Sequence, residues 1–196
     1  MAMRTQFQLI SLVFVLLLLL LSTTTTTTAA AISSSQYSHL IESTCKNTPH
    51  FQLCMTTLLQ GGHGTTADVA GLALIMVRAV RDKTRAAIST LKTYPTTIER
   101  GADPRLVRAL QDCARAYNAV MVADVPEAVE ALTKGDPKFA ENGMADAAVE
   151  ADVCEDAIAA AVGAGARNPS PIAMRRMNKA VRELAEVARA IIRNLL

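Results

Sequence analysis

The stretch "KGDPKFAENG", residues 134–143, decides how this chain folds. Gly135 tolerates the left-handed conformation that closes a helix, Asp136 suits an N-cap, and Pro137 suits a first helical position. Cys113 and Cys154 flank the break, and the midpoint of their numbers, 133.5, falls beside Gly135. In an antiparallel helix pair, residues equidistant from the turn sit at one height. A bridge between these cysteines therefore makes the region a hairpin, pinned by the turn at one end and by sulfur about 20 residues away. At about 1.5 Å per residue the bridge lies roughly 30 Å from the tip.

Helical spacing recurs on both sides of the break. Leu106, Leu110, Cys113, Tyr117, Met121, Ala128 and Leu132 form one stripe at steps of three, four or seven, after an Asp103-Pro104 start. Val69, Ala73, Met76, Val80, Ala87 and Leu91 form a second, and Met177, Val181, Leu184, Ala188, Ile191 and Leu195 a third. The segment from Pro137 to about Gly163 is rich in alanine (Ala145, Ala147, Ala148, Ala151, Ala157, Ala159, Ala160, Ala161), which favours helix and lets axes approach closely. Breaks fall at Gly61-Gly62-His63-Gly64, Tyr94-Pro95, Gly135-Asp136-Pro137 and Gly163 to Pro171. No strand-like alternation occurs. The expected fold is all-α: an up-down-up-down antiparallel four-helix bundle over 63–196. A short helical hairpin, 32–62, broken at Asn47-Thr48-Pro49, precedes it, and the two make one domain, 32–196.

The first 31 residues read as a signal peptide: Arg4, an apolar run from Leu12 to Leu21, a Ser/Thr tract, and Ala29-Ala30-Ala31 at the cleavage site. The apolar run is about half of what a bilayer span needs. Losing Arg4 takes the net charge from +2 to +1, and no long basic run points to nucleic acid. An exported chain with four cysteines is expected to carry two disulfides. The midpoint of Cys45 and Cys54, 49.5, falls beside Pro49, whereas that of Cys54 and Cys113, 83.5, falls inside a long helix. The pairing read from this is Cys45–Cys54 and Cys113–Cys154. No Cys-x-x-Cys pair offers a zinc site, so neither metal nor cofactor is expected.

Catalytic chemistry has little to stand on. The histidines, His39, His50 and His63, all lie in or just after the N-terminal hairpin, and no Gly-x-Ser-x-Gly, His-Glu-x-x-His or phosphate-binding glycine loop occurs. Asp152, Glu155 and Asp156 read as a solvated helix face, and Met76, Met121 and Met177 as core filling rather than a ligand pocket. No catalytic residue is assigned. Lys138 and Phe139 stand out instead. A cation in a first turn opposes the helix dipole by a few tenths of a kcal/mol, so local stability does not explain Lys138. Phe139 either folds back as a cap on the bundle or, with Lys138, is presented to an anionic, concave partner.

The residues around the second pair of cysteines carry a resemblance. "ALQDCARAY" (109–117) and "DAAVEADVCEDAI" (146–158) are similar to segments of plant inhibitors of invertases and pectin methylesterases. The resemblance runs from about Cys45 to the C-terminus. Ile158 stands where such proteins often carry Phe, a core exchange. The resemblance implies the same two bridges, an enzyme inhibitor rather than an enzyme, and secretion to the apoplast or cell wall, with the vacuole as the alternative. Pro137-Lys138-Phe139 resembles the tripeptide that invertase inhibitors insert into the sucrose-binding cleft. It implies that Asp136, Pro137, Lys138 and Phe139 bind an acid invertase, a glycoside hydrolase; the alternative partner is a pectin methylesterase.

Overall fold

In the computed structural model, residues 33–62, 68–94, 103–163 and 170–196 are described. The expected signal peptide, His63, Gly64, Pro95 and the Asn168-Pro169 loop lie outside them. Two short helices come first, α1 (Ser34–Cys45) and α2 (Phe51–Gly61), broken where Pro49 was expected to break them. Ser33 and Gln36 form a reciprocal capping box at the start of α1. The Cys45–Cys54 disulfide closes this hairpin with a Cα–Cα distance of 5.6 Å.

Helix α3 (Val69–Leu91) starts at Asp68, whose side chain accepts a hydrogen bond from the Gly71 N–H at 2.8 Å. Of the inward stripe read from the sequence it buries Ala73, Met76, Val80, Ala87 and Leu91, with Val69 half-buried at its start. Helix α4 (Pro104–Ala119) starts as its cap predicted, with the Asp103 carboxylate accepting from the Arg105 N–H at 2.8 Å. A π-helical turn, Val120–Asp124, joins α4 to α5 (Val125–Lys134). Two long helices complete the bundle, α6 (Pro137–Val162) and α7 (Ser170–Arg193).

The π turn corrects one expectation. Simple periodicity places Met121 on the inward stripe, yet Val120 is buried and Met121 only partly so. The cause is Pro126, which has no N–H and whose ring would meet the carbonyl four residues back. The chain takes one wide turn instead, with the Val125 N–H bonded to the Val120 carbonyl. A five-residue step then brings Val120 and Val125 to the same inner side, and both are buried. Of the rest of the stripe, Leu110, Cys113, Tyr117, Ala128 and Leu132 are buried and Leu106 is half-buried.

Helix α6 lies against α4, the π turn and α5 on one side and α7 on the other, and α7 also packs on α3. The Cys113–Cys154 bridge, with a Cα–Cα distance of 4.4 Å, makes α4–α5 and α6 antiparallel neighbours. Of the α6 alanines read from the sequence, Ala147, Ala151 and Ala161 are buried, whereas Ala159 and Ala160 face solvent. Gly143 marks the closest approach: a Cβ there would stand 2.6 Å from the Asp124 carbonyl oxygen. Cys154 and Ile158 are fully buried in the shared core.

Polar pairs register α6 against α7. Arg175 Nε donates to Glu155 at 2.5 Å, and Asn178 Nδ2 donates to the other oxygen of the same carboxylate at 2.9 Å. Asn178 in turn accepts from the buried Tyr117 hydroxyl, so this relay reaches α4 through the core. Burial holds the Tyr117 hydroxyl well above its ordinary titration range. Glu155 is thus a half-buried structural partner, not the fully solvated charge expected of it, while Asp152 and Asp156 are exposed.

Candidate functional site

The connection between α5 and α6 is two residues long, and the backbone explains it. Gly135 has φ 76°, the left-handed value that a side chain would strain. Its N–H bonds to the Leu132 carbonyl at 3.3 Å, and the Asp136 N–H reaches back to the Ala131 carbonyl at 2.9 Å. This crossed pair is a Schellman closure, which satisfies carbonyls at the end of α5. Pro137 then opens α6. Asp136 occupies the N-cap position, but its side chain makes no capping hydrogen bond, in contrast to the cap expected of it. Its contribution to the turn is through the backbone.

Phe139 is 56% exposed, and no buried cluster includes it. The reading in which it folds back to cap the bundle is therefore set aside. The apolar area of the ring stands in water, which burial against another surface would relieve.

Lys138 differs from its expected state. Its ammonium donates to Glu141 Oε2 at 2.7 Å, three residues along the same helix, while its side chain stays 63% exposed. The carboxylate it meets is buried, at 5% side-chain exposure. The other oxygen of Glu141 accepts from Arg189 Nε at 3.2 Å and from Arg193 Nε at 2.7 Å, both on α7. Three cations thus converge on one buried carboxylate. Their hydrogen bonds, first from Lys138 and then from Arg193, outweigh burial and hold the Glu141 carboxyl down to about 2. The cluster keeps two positive charges in excess at the tip.

The sequence reading missed Glu141, Arg189 and Arg193. Glu141 stood at a helical i, i+3 step from Lys138, a visible signal. The two arginines are 48 and 52 residues away, and only the packing of α7 brings them in. Among the described residues, two grooves lie away from the tip, one between α6 and α7 around Glu155 and Arg182 and one between α2 and α3.

Comparison with known proteins places the chain in a family. The profile described as "Plant invertase/pectin methylesterase inhibitor" matches residues 39–191. This chain belongs to the plant invertase/pectin methylesterase inhibitor family. It is 40% identical over 152 residues to "Cell wall / vacuolar inhibitor of fructosidase 1" of Arabidopsis thaliana, covering 78% of this chain and 67% of that one. It is 34% identical over 86 residues to "Cell wall / vacuolar inhibitor of fructosidase 2" of the same plant, covering 43% and 46%. Two crystal structures of Arabidopsis pectin methylesterase inhibitors, one a mutant form, superpose with TM-scores of 0.61 and 0.57 at 21% identity, covering 76% and 84% of this chain and 92% and 99% of theirs. At that identity they show the shared fold. Members of this family inhibit enzymes, so the tip is read as part of an inhibitor.

Proposed function

We propose that this protein inhibits an acid invertase (β-fructofuranosidase) by inserting the Asp136–Phe139 tip into the sucrose-binding cleft. The observation that carries the reading is the 40% identity, over most of the chain, to a protein named as an inhibitor of fructosidase. The geometry supports it. Lys138 and Phe139 are exposed together in the first turn of α6, just past a two-residue connection whose flanking helices are tied by the Cys113–Cys154 bridge.

The chemistry of the target explains why that pair fits. A retaining glycosidase needs two carboxyl groups about 5 Å apart around the scissile bond. Such a cleft is a preformed anionic pocket. The Lys138 ammonium enters among those carboxylates and Phe139 covers apolar area beside them, while Pro137 and the Gly135 closure limit how the tip can move. Inhibition is then competitive with sucrose.

Secretion to the cell wall, or delivery to the vacuole, is the location that goes with this target. The wording of the two relatives' names and the pair of disulfides support it. Among the described residues no helix is long and apolar enough to cross a membrane.

The test is direct. Residues 32–196, with both bridges formed, are assayed against an acid invertase and a pectin methylesterase side by side. Inhibition of the invertase alone is expected, and inhibition of the pectin methylesterase alone would reverse the assignment. Lys138→Ala is expected to weaken binding by about 2–5 kcal/mol, as for removal of one partner from a desolvated charge pair. Phe139→Ala should also weaken it, and neither change should move the melting temperature appreciably. If both variants inhibit as well as the wild type, the tip is not the contact. Inhibition should also weaken as acid protonates the carboxylates of the cleft.

A further inference from the structure

We infer that Glu141 is a positioning residue for inhibition, a buried carboxylate that holds the Lys138 ammonium where a partner's carboxylates can reach it. The inference rests on the invertase reading above and adds what prepares the lysine for its partner.

The geometry separates the two oxygens of Glu141 by task. Oε1 is held by Arg189 and Arg193 from α7, and Oε2 is left to Lys138. The carboxylate is 5% exposed, so it is fixed by packing as well as by the arginines, while the lysine it holds is 63% exposed. A fixed acceptor thus ends a mobile side chain. An ammonium has three N–H donors, so one bond to Glu141 leaves two for a partner. A free lysine loses its rotamer freedom on binding, which costs a factor of roughly 2 to 10 in affinity per immobilised side chain. Glu141 removes that loss by ordering Lys138 beforehand.

Charge decides whether the contact helps or competes. A lone Lys–Glu pair is neutral and would weaken the pull on an anionic partner. Here one carboxylate faces three cations, so the cluster stays net positive. The two arginines, not Lys138 alone, neutralise Glu141. The partner this arrangement suits is a concave site with two or more ionised carboxylates.

Glu141→Gln keeps the shape and removes the charge. Its inhibition constant for acid invertase is expected to rise about tenfold. The deciding readout is a double-mutant cycle. In a Lys138→Ala background, Glu141→Gln should have no further effect on inhibition, because Glu141 acts through that lysine. Effects that simply multiply would show a merely structural role and overturn the inference. So would unchanged or tighter inhibition by Glu141→Gln. If that variant does not fold, Arg193→Gln loosens one arm of the clasp and should raise the constant about threefold, again only while Lys138 is present. NMR relaxation of the Lys138 side chain in the free inhibitor adds a measure that needs no target. The ammonium should be ordered in the wild type and mobile in the variant; equal mobility overturns the inference even if the wild type inhibits no invertase. An inactive wild type would overturn the invertase reading instead.

Discussion

Two acids on the α4–α6 hairpin are buried to a similar degree and behave in opposite ways. Glu141, 4% exposed at the tip, is met by Lys138, Arg189 and Arg193 and titrates near 2. Asp124, 7% exposed in the π turn, has one carboxylate oxygen without a hydrogen-bond partner among the described residues. The charges acting on Asp124 are Asp146 and Glu150 from α6 and Glu127 from α5, all acidic. Burial first, and those neighbours second, push its carboxyl up to about 6. Burial alone therefore sets neither state. Burial raises both carboxyls; at Glu141 hydrogen bonds from three cations override it, and at Asp124 the acidic neighbours add to it.

The largest effect is expected from stripping the clasp. Arg189→Gln with Arg193→Gln leaves Glu141 buried with Lys138 alone. Breaking a buried ion pair costs about 3–5 kcal/mol, and the half-exposed arginines place this case near the lower figure. The melting temperature should fall by about 6–12 °C. A loss below about 1 kcal/mol would mean that Glu141 does not depend on its partners, and the contrast with Asp124 would fail.

Asp124→Asn should do the reverse. A folded chain that holds this proton up to about 6, against an ordinary value of 3.8, gains stability from it in acid. That gain is lost as pH rises from about 3.8 to about 6. The asparagine variant should therefore be more stable than the wild type at pH 7, by on the order of 2 kcal/mol, and little different below pH 4. Glu141 works in the opposite window: its contribution is present above the ordinary 4.5 and is lost as pH falls toward about 2. Together the two groups favour an optimum at about pH 4–5. Denaturant unfolding across pH 3–8 checks both arms, and a wild-type curve that keeps rising through pH 6 would contradict the Asp124 arm.

The smallest effect probes how the two sites share one helix. Gly143→Ala places a Cβ 2.6 Å from the Asp124 carbonyl oxygen, so the π turn or α6 must shift. Overpacking costs about 1–3 kcal/mol, and the better helix propensity of alanine returns up to about 1. A net loss of about 1 kcal/mol is expected by thermal unfolding. A gain would show that α6 can move away from Asp124 freely.

Much of this was legible beforehand. The cysteine midpoints predicted both bridges, because helix hairpins turn sequence separation into height. The breaks at Pro49 and Gly135 were readable because glycine and proline act through their own backbones. The π turn was missed although its cause, Pro126, was in plain view: periodicity averages over a whole helix and hides one wide turn. Met121 was misplaced for that reason. Lys138 was judged against the helix dipole alone, and its ion pair with Glu141 one turn along went unread although the i, i+3 step was in view.

The sequence by itself determined the order of the long helices, the breaks at glycine and proline, and the covalent links, all of which depend on residue type and spacing along the chain. It also singled out Lys138 and Phe139 as misfits with local stability. Only the tertiary structure decided that Phe139 stands in solvent, that Glu141 is clasped from 48 and 52 residues away, and that Asp124 is surrounded by acids. Periodicity names the inward face of a helix but not the residue across from it. Electrostatic interactions fall off with distance, so the charge state of a buried acid depends on which helices pack around it.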